Sequence, residues 1–258
     1  MKKIDPTAII SSNASIGSDA EIGPYCIIGD DVEIGTGTYI GPYCMIEGPT
    51  TIGNSCRITG HAGIGTPPQD LKYKGEHTRL IIGDNNNIRE FVTINRGTKQ
   101  GGGITSIGSN NLLMAYTHVA HDCRVENHVV MGNVATLAGH VHVGNYAIIG
   151  GLAAVHQFTR IGTYAIIGGG SMVSLDIIPY AKASGDRARL FGINTIGLER
   201  RGFSPEVIKI IAKSYKILFK QKMLLKDALE SLEREFPGVE EVAALIDFIR
   251  SSTRGIAR

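Results

Sequence analysis

The fold is decided by the stretch Ile16-Gly17-Ser18-Asp19-Ala20-Glu21-Ile22-Gly23-Pro24-Tyr25-Cys26-Ile27-Ile28-Gly29. An isoleucine returns at every sixth residue, a small residue stands two before it, and Gly follows it. The spacing runs back to Ile10 and Ile4 and forward through Ile34, Ile40, Ile46, Ile52 and Ile58 to Ile64. Ala8, Ala14, Ala20, Cys26, Val32, Thr38, Cys44, Thr50, Cys56 and Ala62 fill the small position. A short block repeats the pattern at Ile82, Ile88 and Ile94. A third runs from Ile107 through Leu113, Val119, Val125, Met131, Leu137, Val143, Ile149, Val155, Ile161 and Ile167 to Val173. A helical period of 3.6 cannot return every six residues, whereas strand alternation interrupted by a corner can. Each hexad therefore reads as a short strand and a turn. The aliphatic and small residues point inward, and Gly is expected to relieve the bend. Three hexads close one coil, so positions three hexads apart stack on one another. Coils stack at about 4.8 Å, so about nine of them make a prism about 40 Å long.

Composition narrows the function. The chain has 258 residues, 43% of them hydrophobic, which allows one large domain with an appendage. Its 33 Gly are about twice the usual share and are periodic, so they mark a repeat rather than disorder. A net charge of +2 excludes a broadly nucleic-acid-binding character. No apolar run reaches the roughly 18 residues of a bilayer span. The start, Met1-Lys2-Lys3-Ile4-Asp5-Pro6, lacks the apolar stretch of a leader. The expectation is a cytoplasmic protein without a transmembrane segment. Four Cys without a Cys-x-x-Cys make no disulfide framework. Cys26 and Cys44 stack inward on adjacent coils, a spacing that would permit a bridge; in a reducing compartment they read as buried thiols.

The breaks in the pattern are where function concentrates. In Thr66-Pro67-Pro68-Gln69-Asp70-Leu71-Lys72-Tyr73-Lys74-Gly75-Glu76-His77, Asp70 and Glu76 fall at buried-aliphatic positions. An external loop near 66–80 follows, although Ile64 and Ile82 are three hexads apart, a spacing that would allow a regular coil. Ile94 to Ile107 is not a multiple of six and contains Gly101-Gly102-Gly103, so a second loop is expected near 95–106. The hexads stop after Pro179. Ser204 reads as an N-cap with Pro205 at the first helical position, and two further helices are expected near 225–236 and 239–250. The chain thus divides into a β-helix over 1–186 and a helical domain over 187–258. Lys209, Lys213, Lys216 and Lys220 share one helix face, opposite Ile208, Ile211, Ala212 and Tyr215. That stripe is either an ordinary solvated face or a dock for an acidic partner.

The three-hexad coil also acts as a ruler. It stacks His121, Gly139 and Gln157 on one corner, pairs Asp122 with His140 one residue on, and pairs Ala138 with His156 one residue earlier. None of these polar residues holds an inward position, so they project together. Singly, each His reads more readily as structural; together they suit general-base chemistry. A neutral imidazole takes a proton from an alcohol, a carboxylate such as Asp122 holds its tautomer, and a backbone N–H in the slot left by Gly139 stabilises an oxyanion. Cys123 sits at the inward small position and is a poor nucleophile. No well-placed exposed Ser is evident, so direct transfer is favoured over a covalent acyl-enzyme.

These residues carry a resemblance. The repeat resembles the hexapeptide-repeat family, whose prism winds left-handed; the general rule for parallel crossovers gives the opposite hand. Further stretches sharpen it: Gln69-Asp70-Leu71-Lys72-Tyr73, Arg96-Gly97-Thr98, Thr117-His118-Val119-Ala120-His121-Asp122-Cys123, Leu137-Ala138-Gly139-His140-Val141 and Val155-His156-Gln157-Phe158. In the tail they are Phe191-Gly192-Ile193-Asn194, Gly197-Leu198-Glu199-Arg200-Arg201-Gly202-Phe203 and Ser251-Ser252-Thr253-Arg254-Gly255. With them the whole chain resembles the acyl-carrier-protein-dependent UDP-N-acetylglucosamine O-acyltransferases that begin lipid A synthesis in Gram-negative bacteria. The resemblance implies a mainly β, left-handed parallel β-helix with a C-terminal helical domain, trimeric, with sites between subunits. It implies His121 as general base on the sugar 3-hydroxyl, Asp122 as its support and Gly139 as oxyanion donor. It implies Gln69, Asp70, Lys72, His140, His156 and Gln157 around the sugar nucleotide and His118 lining the site. Asn194, Arg200 and Arg201 would contact the phosphopantetheine arm or the phosphates, and Gly169 would admit a long 3-hydroxyacyl chain. No cofactor and no metal are implied; the partners are acyl carrier protein and UDP-N-acetylglucosamine. Asn95 stands where a His is expected, and Ile196 where an acidic residue is.

The same residues admit three rival readings. One is an N-acyltransferase acting on a 3-amino UDP-sugar or later in the same pathway; the later enzyme's extra N-terminal domain has no counterpart before Ile4. Another is a hexapeptide-repeat carbonic anhydrase with three His on zinc. The last is a solenoid that only binds partners, against which the crowded polar corner argues.

Overall fold

The computed structural model describes residues 3–221 and 223–258; Met1 and Lys2, at the start of the expected β-helix, and Lys222 lie outside the described residues. Each hexad forms one short strand, from Lys3–Ile4 to Met172–Val173. The strands fall into three parallel sheets that the chain visits in turn, giving a left-handed parallel β-helix. The first sheet begins with Lys3–Ile4, the second with Ile9–Ile10 and the third with Ser15–Ile16. Hexad aliphatics such as Ile40, Ile46 and Ile52 are buried to 1% exposure or less, and the small residues Ala20, Cys26 and Cys44 line the same interior. All four Cys are free and buried.

Glycine serves a different purpose from the one expected. The corner residue in the left-handed region lies two positions after the repeat Gly: Asp19 after Gly17, Tyr25 after Gly23, Tyr43 after Gly41. The repeat Gly itself is needed because coils approach closely. A Cβ on Gly41 would lie 1.6 Å from the Thr59 carbonyl oxygen, and one on Gly35 2.4 Å from that of Gly53. Non-glycine residues in the left-handed region are costly, bulky ones most of all. Stacked rings at the corners compensate, with Tyr25, Tyr43, His61, Phe91 and Tyr116 spaced at 4.7–5.1 Å along the edge between first and second sheets.

Strand register locates the two insertions. Ile22 pairs with Ile40, but Ile52 pairs with Ile82 and Ile82 with Ile107. The chain leaves the prism between Thr66 and Arg79 and again between Asn95 and Ile104, then resumes the ladder in phase. The regular spacing from Ile64 to Ile82 is therefore a coincidence, since Ile64 pairs with Ile94.

Past the last hexad, Ala181–Ser184 and Arg189–Ile193 form an antiparallel hairpin that extends the first sheet. Among the described residues four helices follow: α1 Thr195–Arg200, α2 Pro205–Lys220, α3 Leu225–Glu235 and α4 Glu240–Arg250. Ser204 caps α2 by accepting from the Val207 N–H, with Pro205 in the first turn. Tyr215, Leu218, Leu229, Leu232, Leu245 and Ile249 continue the prism core. Among the described residues, no helix is long and apolar enough to cross a membrane.

Gly41→Ala is expected to cost about 1–3 kcal/mol, as overpacking does. Gly63→Ala, whose Cβ would meet nothing nearer than 3.7 Å, should be tolerated. Thermal unfolding midpoints of the two variants check the contrast.

Candidate active site

The edge between the second and third sheets carries the polar cluster. His121 and Asp122 follow the strand His118–Val119, and Asp122 is the left-handed corner residue at φ 60°. Its side chain is 1% exposed, so its oxygens need partners. Thr98 supplies two: its N–H donates to Oδ1 at 2.8 Å and its hydroxyl to Oδ2 at 2.6 Å. His121 Nδ1 lies 2.8 Å from Oδ2. With Thr98 already donating, the carboxylate is the acceptor, so Nδ1 carries the ring proton. His121 Nε2, the basic nitrogen, has no hydrogen-bond partner among the described residues.

The slot at Gly139 is not open, as the spacing alone suggested. The His121 imidazole fills it, and a Cβ on Gly139 would lie 2.6 Å from His121 Cε1. Any side chain there would displace the ring. Gly139 precedes the corner residue His140 as Pro24 and Pro42 precede Tyr25 and Tyr43. A position that accepts proline needs no N–H for the ladder. The Gly139 N–H accordingly has no acceptor among the described residues.

His140 stacks on Phe158 at 4.3 Å and meets the His121 ring edge-on at 5.3 Å. Its Nε2 lies 3.6 Å from Asp122 Oδ2. Burial holds its pKa below the ordinary histidine value, opposed by the charges of Asp122 and Asp70. His118, joined to the Thr93 hydroxyl at 2.8 Å, is lowered first by burial and then by His121. Burial pushes the Cys123 thiol up to about 12, which keeps it protonated and unreactive.

The first insertion closes over this edge. Gln69, Asp70, Leu71 and Lys72 join Thr98, Gln100, His121, His140, Gln157 and Phe158 around a cleft of ≈ 720 Å³. Asp70 shapes the loop by accepting from the Lys72 N–H at 2.9 Å. The second insertion pins it. Asn95 is buried and donates to Thr66 Oγ1 at 2.9 Å and to the Pro67 carbonyl at 3.0 Å. Arg96 donates to the Gly65 carbonyl at 2.6 Å and to the Tyr73 hydroxyl at 3.3 Å. The residue at the position expected to be His is thus a loop anchor.

Thr98 and Gln100 had no periodic signal, because they lie in a loop. Phe158 was accessible to the ruler, three hexads beyond His140. Other expected site residues lie elsewhere. Asn194 caps α1, accepting from Gly197 N–H and donating to the Tyr164 carbonyl. Arg201 stacks over Tyr146 at 4.7 Å, whose ring lies 4.8 Å from Tyr164. They belong to the edge between third and first sheets, and the exposed Arg200 lies in the last turn of α1. Gly169 lies on the remaining edge, beside Gly151. One chain therefore spreads these groups over three edges.

The hexad prism with a His–Asp pair on one edge defines a hexapeptide-repeat transferase. A sequence profile described as bacterial transferase hexapeptide matches residues 31–66. Another, described as UDP-N-acetylglucosamine O-acyltransferase domain 2, matches residues 176–257. The chain is 54% identical over 258 residues to the acyl-[acyl-carrier-protein]–UDP-N-acetylglucosamine O-acyltransferase of Thermodesulfovibrio yellowstonii, covering all of both chains. It is 52% identical over the same length to that of Myxococcus xanthus. The solved UDP-N-acetylglucosamine O-acyltransferase from Moraxella catarrhalis superposes with a TM-score of 0.97 at 45% identity, covering 99% of each chain. This chain belongs to the UDP-N-acetylglucosamine O-acyltransferase family.

Thr98→Val removes a hydroxyl donor from a buried carboxylate and should cost about 1.5–3 kcal/mol. Thr98→Ser should restore most of it. Denaturant unfolding of both variants checks this.

Proposed function

We propose that the protein transfers a 3-hydroxyacyl chain from acyl carrier protein to the 3-hydroxyl of UDP-N-acetylglucosamine, in the cytoplasm, as the opening step of lipid A assembly. The observation that carries this reading is the 2.8 Å His121–Asp122 pair with Nε2 unpartnered at the cleft. His121 Nε2 takes the hydroxyl proton as the sugar oxygen attacks the thioester carbonyl carbon. Asp122 stabilises the imidazolium. The Gly139 N–H receives the developing oxyanion. As the carbon–sulfur bond breaks, the imidazolium returns the proton to the leaving thiolate. No covalent acyl-enzyme is needed, in keeping with the buried Cys123.

Gln69, Asp70, Lys72, His140, His156 and Gln157 would hold the sugar nucleotide, with His118 lining the site. Asn194, Arg200 and Arg201 would meet the phosphopantetheine arm or the phosphates, and Gly169 would leave room for a long acyl chain. Because these groups sit on separate edges of one chain, the complete site is assigned to a homotrimer with sites between neighbours. The zinc reading calls for three histidines on one ion, whereas this edge supplies His121, His140 and Asp122. The amide-forming alternative is disfavoured by the O-acyltransferase names of the relatives.

Lys209, Lys216 and Lys220 are exposed and make no ion pair among the described residues, whereas Lys213 pairs with Glu235. The unpaired three form the proposed dock for acidic acyl carrier protein.

His121→Ala should lower kcat by about 10²–10⁴ with the fold intact, as loss of a general base does. Near-normal turnover of acyl carrier protein thioester and UDP-N-acetylglucosamine would overturn the assignment. Charge reversal of Lys209 and Lys216 should raise the KM for acyl carrier protein severalfold. An unchanged KM would make the stripe a solvated face.

A further inference from the structure

The sequence ends on a segment that returns to the prism. Ser252 Oγ donates to Asp176 Oδ2 at 2.8 Å, Asp176 N–H donates to the Gly255 carbonyl at 2.9 Å, and Ala257 N–H donates to the Asp176 carbonyl at 2.9 Å. Asp176 is 1% exposed, and its other oxygen accepts from the Arg160 N–H at 2.8 Å. Arg160 Nη1 in turn donates to the Ser251 carbonyl at 3.0 Å. A buried carboxylate and a guanidinium thus fasten residues 251–257 to the final coil.

That fastening delivers Arg254 to the polar edge. Its Nε donates to the Ser174 carbonyl at 2.7 Å, and its Nη2 lies 2.8 Å from His156 Nδ1. The Gln157 carbonyl lies 3.2 Å from the same ring nitrogen. One nitrogen cannot accept from Arg254 and donate to a carbonyl at once. A guanidinium can only donate, so Nδ1 accepts and the proton sits on Nε2. His156 and Ala138 occupy the same register on adjacent coils, one residue before Gln157 and Gly139. At that register only the Ala138 methyl projects from the coil between His156 and the one that carries the His121–Asp122 pair.

We infer that Arg254 is a positioning residue, which holds His156 as the Nε2–H tautomer so that it can donate to an oxygen of the sugar nucleotide. Free to choose, a neutral imidazole divides between tautomers, and one of them would present a lone pair to that oxygen. The guanidinium removes the choice. This role rests on the acyltransferase reading for its substrate, but the tautomer itself does not.

The test has two readouts. Nitrogen-15 NMR of the full-length protein, with His156→Gln assigning the resonance, should show His156 in the Nε2–H form. Arg254→Met should convert it to a mixture, while Arg254→Lys, which keeps a donor, should retain most of the Nε2–H form. Steady-state kinetics should show the KM for UDP-N-acetylglucosamine rising about tenfold in Arg254→Met, the size of one hydrogen bond, with KM carrying the loss and Arg254→Lys recovering part of it. An unchanged His156 signal in a folded Arg254→Met protein overturns the positioning role whatever the activity. An altered tautomer with unchanged KM overturns its link to the substrate. A wild-type protein inactive on both substrates would instead overturn the acyltransferase reading and leave the tautomer result standing. Should Arg254→Met shift the thermal midpoint by more than a few degrees, Arg254→Lys decides: a folded protein that retains the Nε2–H form supports the role, and one with mixed tautomers overturns it.

Discussion

Parallel backbone pairing between successive coils, three hexads apart in the chain, sets every other feature of this molecule. Each short strand hydrogen-bonds only to its counterparts above and below, so no strand is stable alone. Stability is distributed through nearest-neighbour interfaces, as in other repeat architectures. The ladder demands that backbones approach closely at the corners, which fixes Gly at positions such as Gly35 and Gly41. It also forces side chains of the left-handed corner residues into vertical rows. Aromatic residues in those rows stack on one another, and polar residues in the same place converge.

The active edge uses that convergence. His121 and His140 occupy neighbouring coils, and Asp122 stands at the corner between them. The prism alone would leave Asp122 poorly solvated and poorly held. The second insertion supplies Thr98 to its carboxylate, and Gly101 allows the loop that close: a Cβ there would lie 2.0 Å from the Asp122 carboxyl carbon. The same insertion sends Asn95 and Arg96 to the first loop. Both insertions thus form one buttress, with the His121–Asp122 pair on one side and the cleft wall on the other.

The prism was legible in the sequence because its signal is strictly local: six residues decide one strand, and the period does not drift. The tail helices were legible for similar reasons, through Ser204, Pro205 and the amphipathic spacing of α2. The coil length carried the reading from fold to site, since spacing alone brought His121, Gly139 and Gln157 together. The first insertion was legible from Asp70 and Glu76 at buried-aliphatic positions, in spite of the regular spacing between Ile64 and Ile82, and strand pairing does skip a segment there. The role of Thr98 was hidden, because a loop residue acquires its partner from tertiary closure and leaves no period. Gly139 was found by register but given the wrong surroundings: spacing shows that two residues share a row, not which ring lies across it.

A prism has three edges, and a single chain places the groups of the proposed site on all of them. His121 and Asp122 hold one edge, Asn194 and Arg201 a second, and Gly169 the third. No rotation within one rigid ladder can bring these edges together, because the interior is filled by aliphatic side chains. Side-by-side packing of identical prisms, as in the proposed homotrimer, would do so without deforming any of them. On that view the repeat does more than support a site. It holds the proposed donor-side and acceptor-side groups rigidly apart, so that the proposed homotrimer would complete the site where copies meet.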